Sequence, residues 1–171
     1  QINDLGFTMT AISLISAGYA IIRGLVSAPL GILGDKRTFI SSMSVSLAAM
    51  ALGLLINSLG GKICHIIFYA LYGVALAGMN SGIMNIIFDY VPREKRNGAV
   101  SILYTIGGLV GFCSTLIAKP LVDYVQSSGN SFLFLEHVYA QQILSVIGAA
   151  LTLATLIYLN TVVKKMNKEE Y

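Results

Sequence analysis

The stretch YAIIRGLVSAPLGILGDKR, residues 19–37, ends a long apolar run, holds one arginine inside that run, and closes in a compact charged turn. Arg23 stands twelve residues before Asp35, so on a helix it sits roughly 18 Å from that turn at ~1.5 Å per residue. An apolar helix with a charge that far from its end is not a soluble amphipathic helix. It reads as a membrane span whose middle carries a cation.

The rest of the chain agrees. Of 171 residues 56% are hydrophobic and 11% charged, against roughly a quarter charged in an ordinary soluble domain. Mean hydropathy is +0.76. Seventeen glycines stand beside three prolines, and glycine is commoner in membrane helices than in soluble ones. Five apolar runs approach or exceed the ~20 residues that cross a bilayer: 7–33, 39–56, 63–88, 99–118 and 138–163. Since a span must satisfy its own backbone hydrogen bonds, the fold class is all-α, a polytopic helix bundle in a single transmembrane domain.

Connecting segments are short and polar: 34–38, 57–62, 89–98, and a longer one at 119–137. Lys36, Arg37, Arg93, Lys95, Arg96, Lys164, Lys165 and Lys168 fall on one side of the bundle, and only Lys62 and Lys119 on the other. Such asymmetry marks the cytoplasmic side and predicts a cytoplasmic tail at 164–171. The basic residues are spread over loops, which does not point to nucleic acid. The first run lacks a basic leader and a small-residue cleavage site, so it is not read as a signal peptide. Gln1 in first place and an odd number of spans suggest a piece of a longer chain. Cys64 and Cys113 have neither disulfide nor metal spacing, and His65 and His137 have no convergent ligands. No nucleophile elbow, paired mid-membrane acids or phosphate loop is present. Neither an enzyme nor a cofactor is expected.

Arg23 is the sharpest functional candidate. A charge at the bilayer centre costs ~2.5–3.5 kcal/mol on insertion scales and is answered by water or a partner. No acid in the chain lies at its depth. Three readings stay open: contact with an anionic solute through a bidentate guanidinium, an ion pair with a helix outside this sequence, or the lipid edge. Tyr19 and Ser27 share its face at four-residue spacing. On the third run Tyr69, Tyr72 (or Gly73), Leu76, Asn80 and Met84 form one stripe, either pocket lining or helix–helix hydrogen bonding. Asn85 lies off that stripe, and interhelical bonding is expected of it. Small-residue strips at Gly78 and Gly82, and at Gly107 and Gly111, read as close helix packing, or as bending points.

Gly31-Ile32-Leu33-Gly34-Asp35-Lys36-Arg37 resembles the cytoplasmic loop motif of the major facilitator superfamily, although Thr38-Phe39-Ile40 departs from its end. Val91-Pro92-Arg93-Glu94-Lys95-Arg96-Asn97-Gly98 and the following GGLVG resemble that family's later cytoplasmic loop and glycine-rich eleventh helix. The five runs are then similar to helices eight to twelve of its C-terminal half, with the seventh helix and the N-terminal half as partners outside this sequence. The resemblance implies a secondary transporter of a small solute, with or without a coupling ion, in the plasma membrane. It agrees with a substrate contact at Arg23 and with cavity lining by Tyr72 and Asn80; Tyr19, one turn from Arg23, either orients the guanidinium and lines the pocket or simply packs. It also implies a conformational latch of Asp35, Arg37 and Asp89; solvated loop charge is the plainer alternative for these three. A non-transporting receptor or assembly subunit with a structural Arg23 is the rival reading.

Overall fold

The computed structural model describes residues 5–130 and 138–165. Among the described residues five long helices follow one another: α1 Met9–Lys36, α2 Phe39–Ser58, α3 Lys62–Tyr90, α4 Arg96–Ser127 and α5 Ala140–Thr161, with 3₁₀ turns at Arg93–Lys95 and Val163–Lys165. No strand occurs among the described residues. All five are long and apolar enough to cross a membrane; even the shortest, α2 with 20 residues, spans ~30 Å. Many large apolar side chains point outward, among them Leu14, Leu25, Leu109, Ile117 and Leu151, which suits a bundle whose solvent is lipid.

Short polar residues set the helix starts. Thr8 Oγ1 accepts from Ala11 N at 3.2 Å and Thr38 Oγ1 from Ser41 N at 3.2 Å, each satisfying one orphan amide of a first turn. Between α2 and α3, Gly60 and Gly61 take φ of 78° and 88°, where a side chain would be strained. Pro29 and Pro120 lie inside α1 and α4. Lacking an N–H, each leaves one carbonyl of the preceding turn without its helical donor.

The fourth helix runs past the expected end at 118 and carries Lys119 and Pro120 on to Ser127. Lysine and proline together look like a loop, yet Leu121, Val122 and Val125 continue an apolar stripe, and Val125 is fully buried. Packing at that stripe outweighs the lost hydrogen bond. Over its remaining length α4 is exposed, and Val125 is its one buried residue.

At the centre lies α2, packed chiefly against α3 and α5, while α1 rests mainly on α3. Small residues make these contacts close. A Cβ on Gly78 would strike Ser46 Oγ, and one on Gly82 would lie 3.2 Å from Met43 Cβ. Gly53 offers the same recess to Leu71, at 3.2 Å. Without a hydrophobic driving force in lipid, such close approach is what holds helices together. Gly107 and Gly111, by contrast, have nothing within 4 Å among the described residues.

Buried polar groups stitch the same helices. Ser42 Oγ donates to Leu30 O across α1 and α2 at 2.9 Å. Asn57 on α2 donates to Ser145 Oγ on α5 at 2.8 Å; its Oδ1 accepts from Gln141 Nε2 at 3.1 Å and lies 3.0 Å from His65 Nδ1. His65 therefore has a structural occupation that its isolation in the sequence hid; His137 lies outside the described residues. Asn85 bonds to Ser81 O of its own helix at 2.8 Å, not across helices as expected.

Two substitutions test this seam. Gly78→Val, which must displace Ser46, is expected to destabilise the bundle by ~1–3 kcal/mol, read as a melting midpoint lowered by several degrees in detergent. Gly107→Ala, at an open position, is expected to leave the midpoint unchanged or raise it slightly, alanine being the better helix former.

Candidate functional site

Gly73 places the middle of α1 against α3. A Cβ there would come within 2.7 Å of Tyr19 O and 3.4 Å of Arg23 N, so only a hydrogen side chain permits the contact. This is the packing glycine that the sequence stripe paired ambiguously with Tyr72. Two of the three α1 residues it meets, Tyr19 and Arg23, are the ones singled out as site candidates; the third is Ile22.

Around that contact aromatic rings gather. Tyr19 lies 5.9 Å from Tyr72 and 6.2 Å from Tyr69, centroid to centroid. Tyr69 and Tyr72 are themselves 6.2 Å apart in edge-to-face geometry. The column continues along α3 through Phe68 to His65, whose ring meets Tyr69 edge-on at 5.0 Å. Rings at such separations are mutually favourable. They form a fixed wall, with phenol groups able to donate to an anion or to water. A groove of about 260 Å³ runs along this wall, lined by Tyr19, Tyr69, Gly18 and Ile22 among others.

Arg23 follows Tyr19 by one turn of α1 and is half-buried. Among the described residues no carboxylate pairs with its guanidinium: Asp35 and Arg37 are exposed at the end of α1, and Asp89 lies near the end of α3. Ser27, expected on the same face, instead donates its hydroxyl to Arg23 O at 2.6 Å. It is spent on its own helix and contributes nothing to the cation's side chain.

Asn80 belongs to a different part of the molecule. It is eight residues beyond Tyr72, roughly 12 Å along the helix. There it lines a cavity of about 690 Å³ between α3 and α4, with Met84, Leu103, Tyr104, Gly107 and Gly108. Thus the rings of Tyr19 and Tyr72 come together, the Arg23 backbone lies close to Gly73, and Asn80 stands farther along α3 on a separate cavity. Tyr104 was missed by sequence reading. Its position three residues before Gly107 would have placed it one turn from the glycine strip. The glycines open the cavity instead of sealing α4 against α3.

At the basic end, the Phe39 ring fills the recess of Gly34; a Cβ on Gly34 would meet its Cδ1 at 2.5 Å. That contact closes the sharp α1–α2 turn and holds Asp35, Lys36 and Arg37 outward. In the α3–α4 connection Arg96 donates from Nε to Val91 O at 3.0 Å and from Nη2 to Phe88 O at 2.8 Å. Its guanidinium lies 5.3 Å from the Phe88 ring centre. Arg96 therefore caps the open carbonyls of α3, where a cation also meets the negative end of the helix dipole.

No curated protein and no solved structure matches this chain. The family model described as Major Facilitator Superfamily matches residues 2–170. With five spanning helices and a match over nearly its whole length, the chain belongs to the Major Facilitator Superfamily of membrane transporters.

Proposed function

We propose that the bundle forms one wall of a secondary transporter that moves a small anionic solute by alternating access. The observation that carries this reading is Arg23: a half-buried cation in the middle of α1, one turn after Tyr19 and its ring contacts with Tyr69 and Tyr72, with no carboxylate partner among the described residues. A charge so placed needs water or a counter-charge, and a solute carboxylate or oxyanion supplies the latter through two hydrogen bonds. Tyr19 and Tyr72 fix the guanidinium's surroundings and offer hydroxyl donors. Asn80 and Tyr104 supply neutral hydrogen-bonding groups farther along the same path.

Opposite this wall a second bundle completes the cleft, and the two rock about the midplane. Asp35, Arg37 and Asp89 act at the basic end of a plasma-membrane protein; the charge asymmetry supports a cytoplasmic side there. There a carboxylate gains from facing a helix N-terminus only while that end is closed, so the contact biases one state. A coupling ion would be bound by groups other than Arg23.

Uptake into liposomes by the full-length transporter tests both parts. Arg23→Ala is expected to lower uptake of an anionic solute by tenfold or more, with Arg23→Lys recovering only part, since an ammonium cannot bind in bidentate fashion. Intact uptake in Arg23→Ala overturns the solute contact, and failure of the parent to move any solute favours the receptor or assembly subunit. Asp35→Asn is expected to lower the maximal rate by up to about fivefold with little change in apparent solute affinity. A loss confined to affinity would contradict the latch.

A further inference from the structure

A second cavity, of about 310 Å³, opens near the basic end, where α2, α3, α4 and α5 meet. Met43, Ile86, Leu103, Leu159 and Val163 form most of its wall, and no charged side chain lines it. Its polar members are Thr155 and the phenol of Tyr158, and the Thr155 hydroxyl is already donated to Leu151 O at 2.9 Å. Such a lining offers a compact polar solute almost nothing.

Its shape and its mouth point elsewhere. The lining runs from Thr155 on α5 to Val163 just past its end, eight residues or ~12 Å at helical rise. That is most of the ~15 Å depth of one leaflet, half of a ~30 Å hydrocarbon core. Directly after Val163 come Lys164 and Lys165, both exposed and held in the 3₁₀ turn Val163–Lys165. An apolar slot of leaflet depth therefore has, directly after the last residue of its lining, two exposed lysines. Its inner wall is firm, because Met43, Ile86 and Val163 pack on the buried cluster of Ile40, Leu47 and Leu159.

We propose that this slot holds one acyl chain of an anionic phospholipid, whose phosphate is bound by Lys164 and Lys165. The chain enters between α4 and α5, and the headgroup sits at the turn. Because the lipid touches Leu103 on α4 and Met43 on α2 together, it ties the least packed helix to the core. This inference rests on the membrane placement alone, and holds whatever solute is carried.

Native mass spectrometry of the protein, released from micelles holding equal dioleoyl phosphatidylglycerol and dioleoyl phosphatidylcholine, tests it. Wild type is expected to retain one phosphatidylglycerol in preference to phosphatidylcholine. The double substitution Lys164→Glu and Lys165→Glu should lower that adduct about tenfold or more, two surface cations being worth this much on a charged lipid. Thr155→Phe, made at an exposed position to fill the slot, should remove the adduct while circular dichroism and the melting midpoint stay near wild type. Equal retention of both lipids, or a phosphatidylglycerol adduct indifferent to Thr155→Phe, overturns the proposal; the latter outcome marks plain surface attraction. Should Thr155→Phe unfold the protein, Leu103→Trp on the α4 wall provides the same test with the same expected loss.

Discussion

Hydrocarbon offers polar groups no partners, and that constraint governs every contact in this bundle. Among the described residues no buried side-chain nitrogen or oxygen is left without a hydrogen bond. Ser42, Ser46, Asn57, His65 and Ser145 are all buried, and each is satisfied by a neighbouring helix or by its own preceding turn. The α2–α3–α5 core is thereby doubly fixed, by glycine recesses that bring backbones together and by amide and hydroxyl bridges between them. Arg23 stands apart because its helix leaves it half-exposed, with no acid paired to it among the described residues.

The core and the site are built on opposite uses of glycine. Gly53, Gly78 and Gly82 remove side chains so that α2 and α3 can touch, and Gly73 does the same for α1. Gly107 and Gly108 remove side chains from a cavity wall instead. A tight α2–α3–α5 core thus stands beside an α4 that packs loosely on its neighbours among the described residues. The cap that Arg96 places on the end of α3 satisfies carbonyls that the helix end leaves open at the α3–α4 connection.

Much of this was legible in the sequence. Apolar run length gave five spans, since ~20 residues are needed whatever the side chains. The isolated cation gave Arg23, because few arginines occur at that depth without cause. Less visible was everything that depends on which face of a helix meets which neighbour. The stripe from Tyr69 to Met84 appeared as one surface, yet the structure divides it into an aromatic wall at Tyr69 and Tyr72 and a separate cavity at Asn80 and Met84. Spacing along α3 cannot show where α1 ends its contact and α4 begins. His65 appeared idle because its partners Asn57 and Gln141 come from two other helices. Pro120 looked like a boundary because the packing of Val125 is invisible until α5 is in place. The two glycine strips looked alike, and only the presence or absence of a facing helix separates them.

The account turns on the Arg23 position facing water rather than acyl chains. Its most direct test is a single Arg23→Cys substitution in a background carrying Cys64→Ala and Cys113→Ser, treated with a charged, membrane-impermeant thiosulfonate reagent in the full-length transporter. Rapid modification, slowed by an excess of transported solute, is the result expected of a side chain lining an aqueous cleft. A thiol reached only by lipid-soluble maleimides, and indifferent to solute, would place that face of α1 against hydrocarbon and contradict the recognition role.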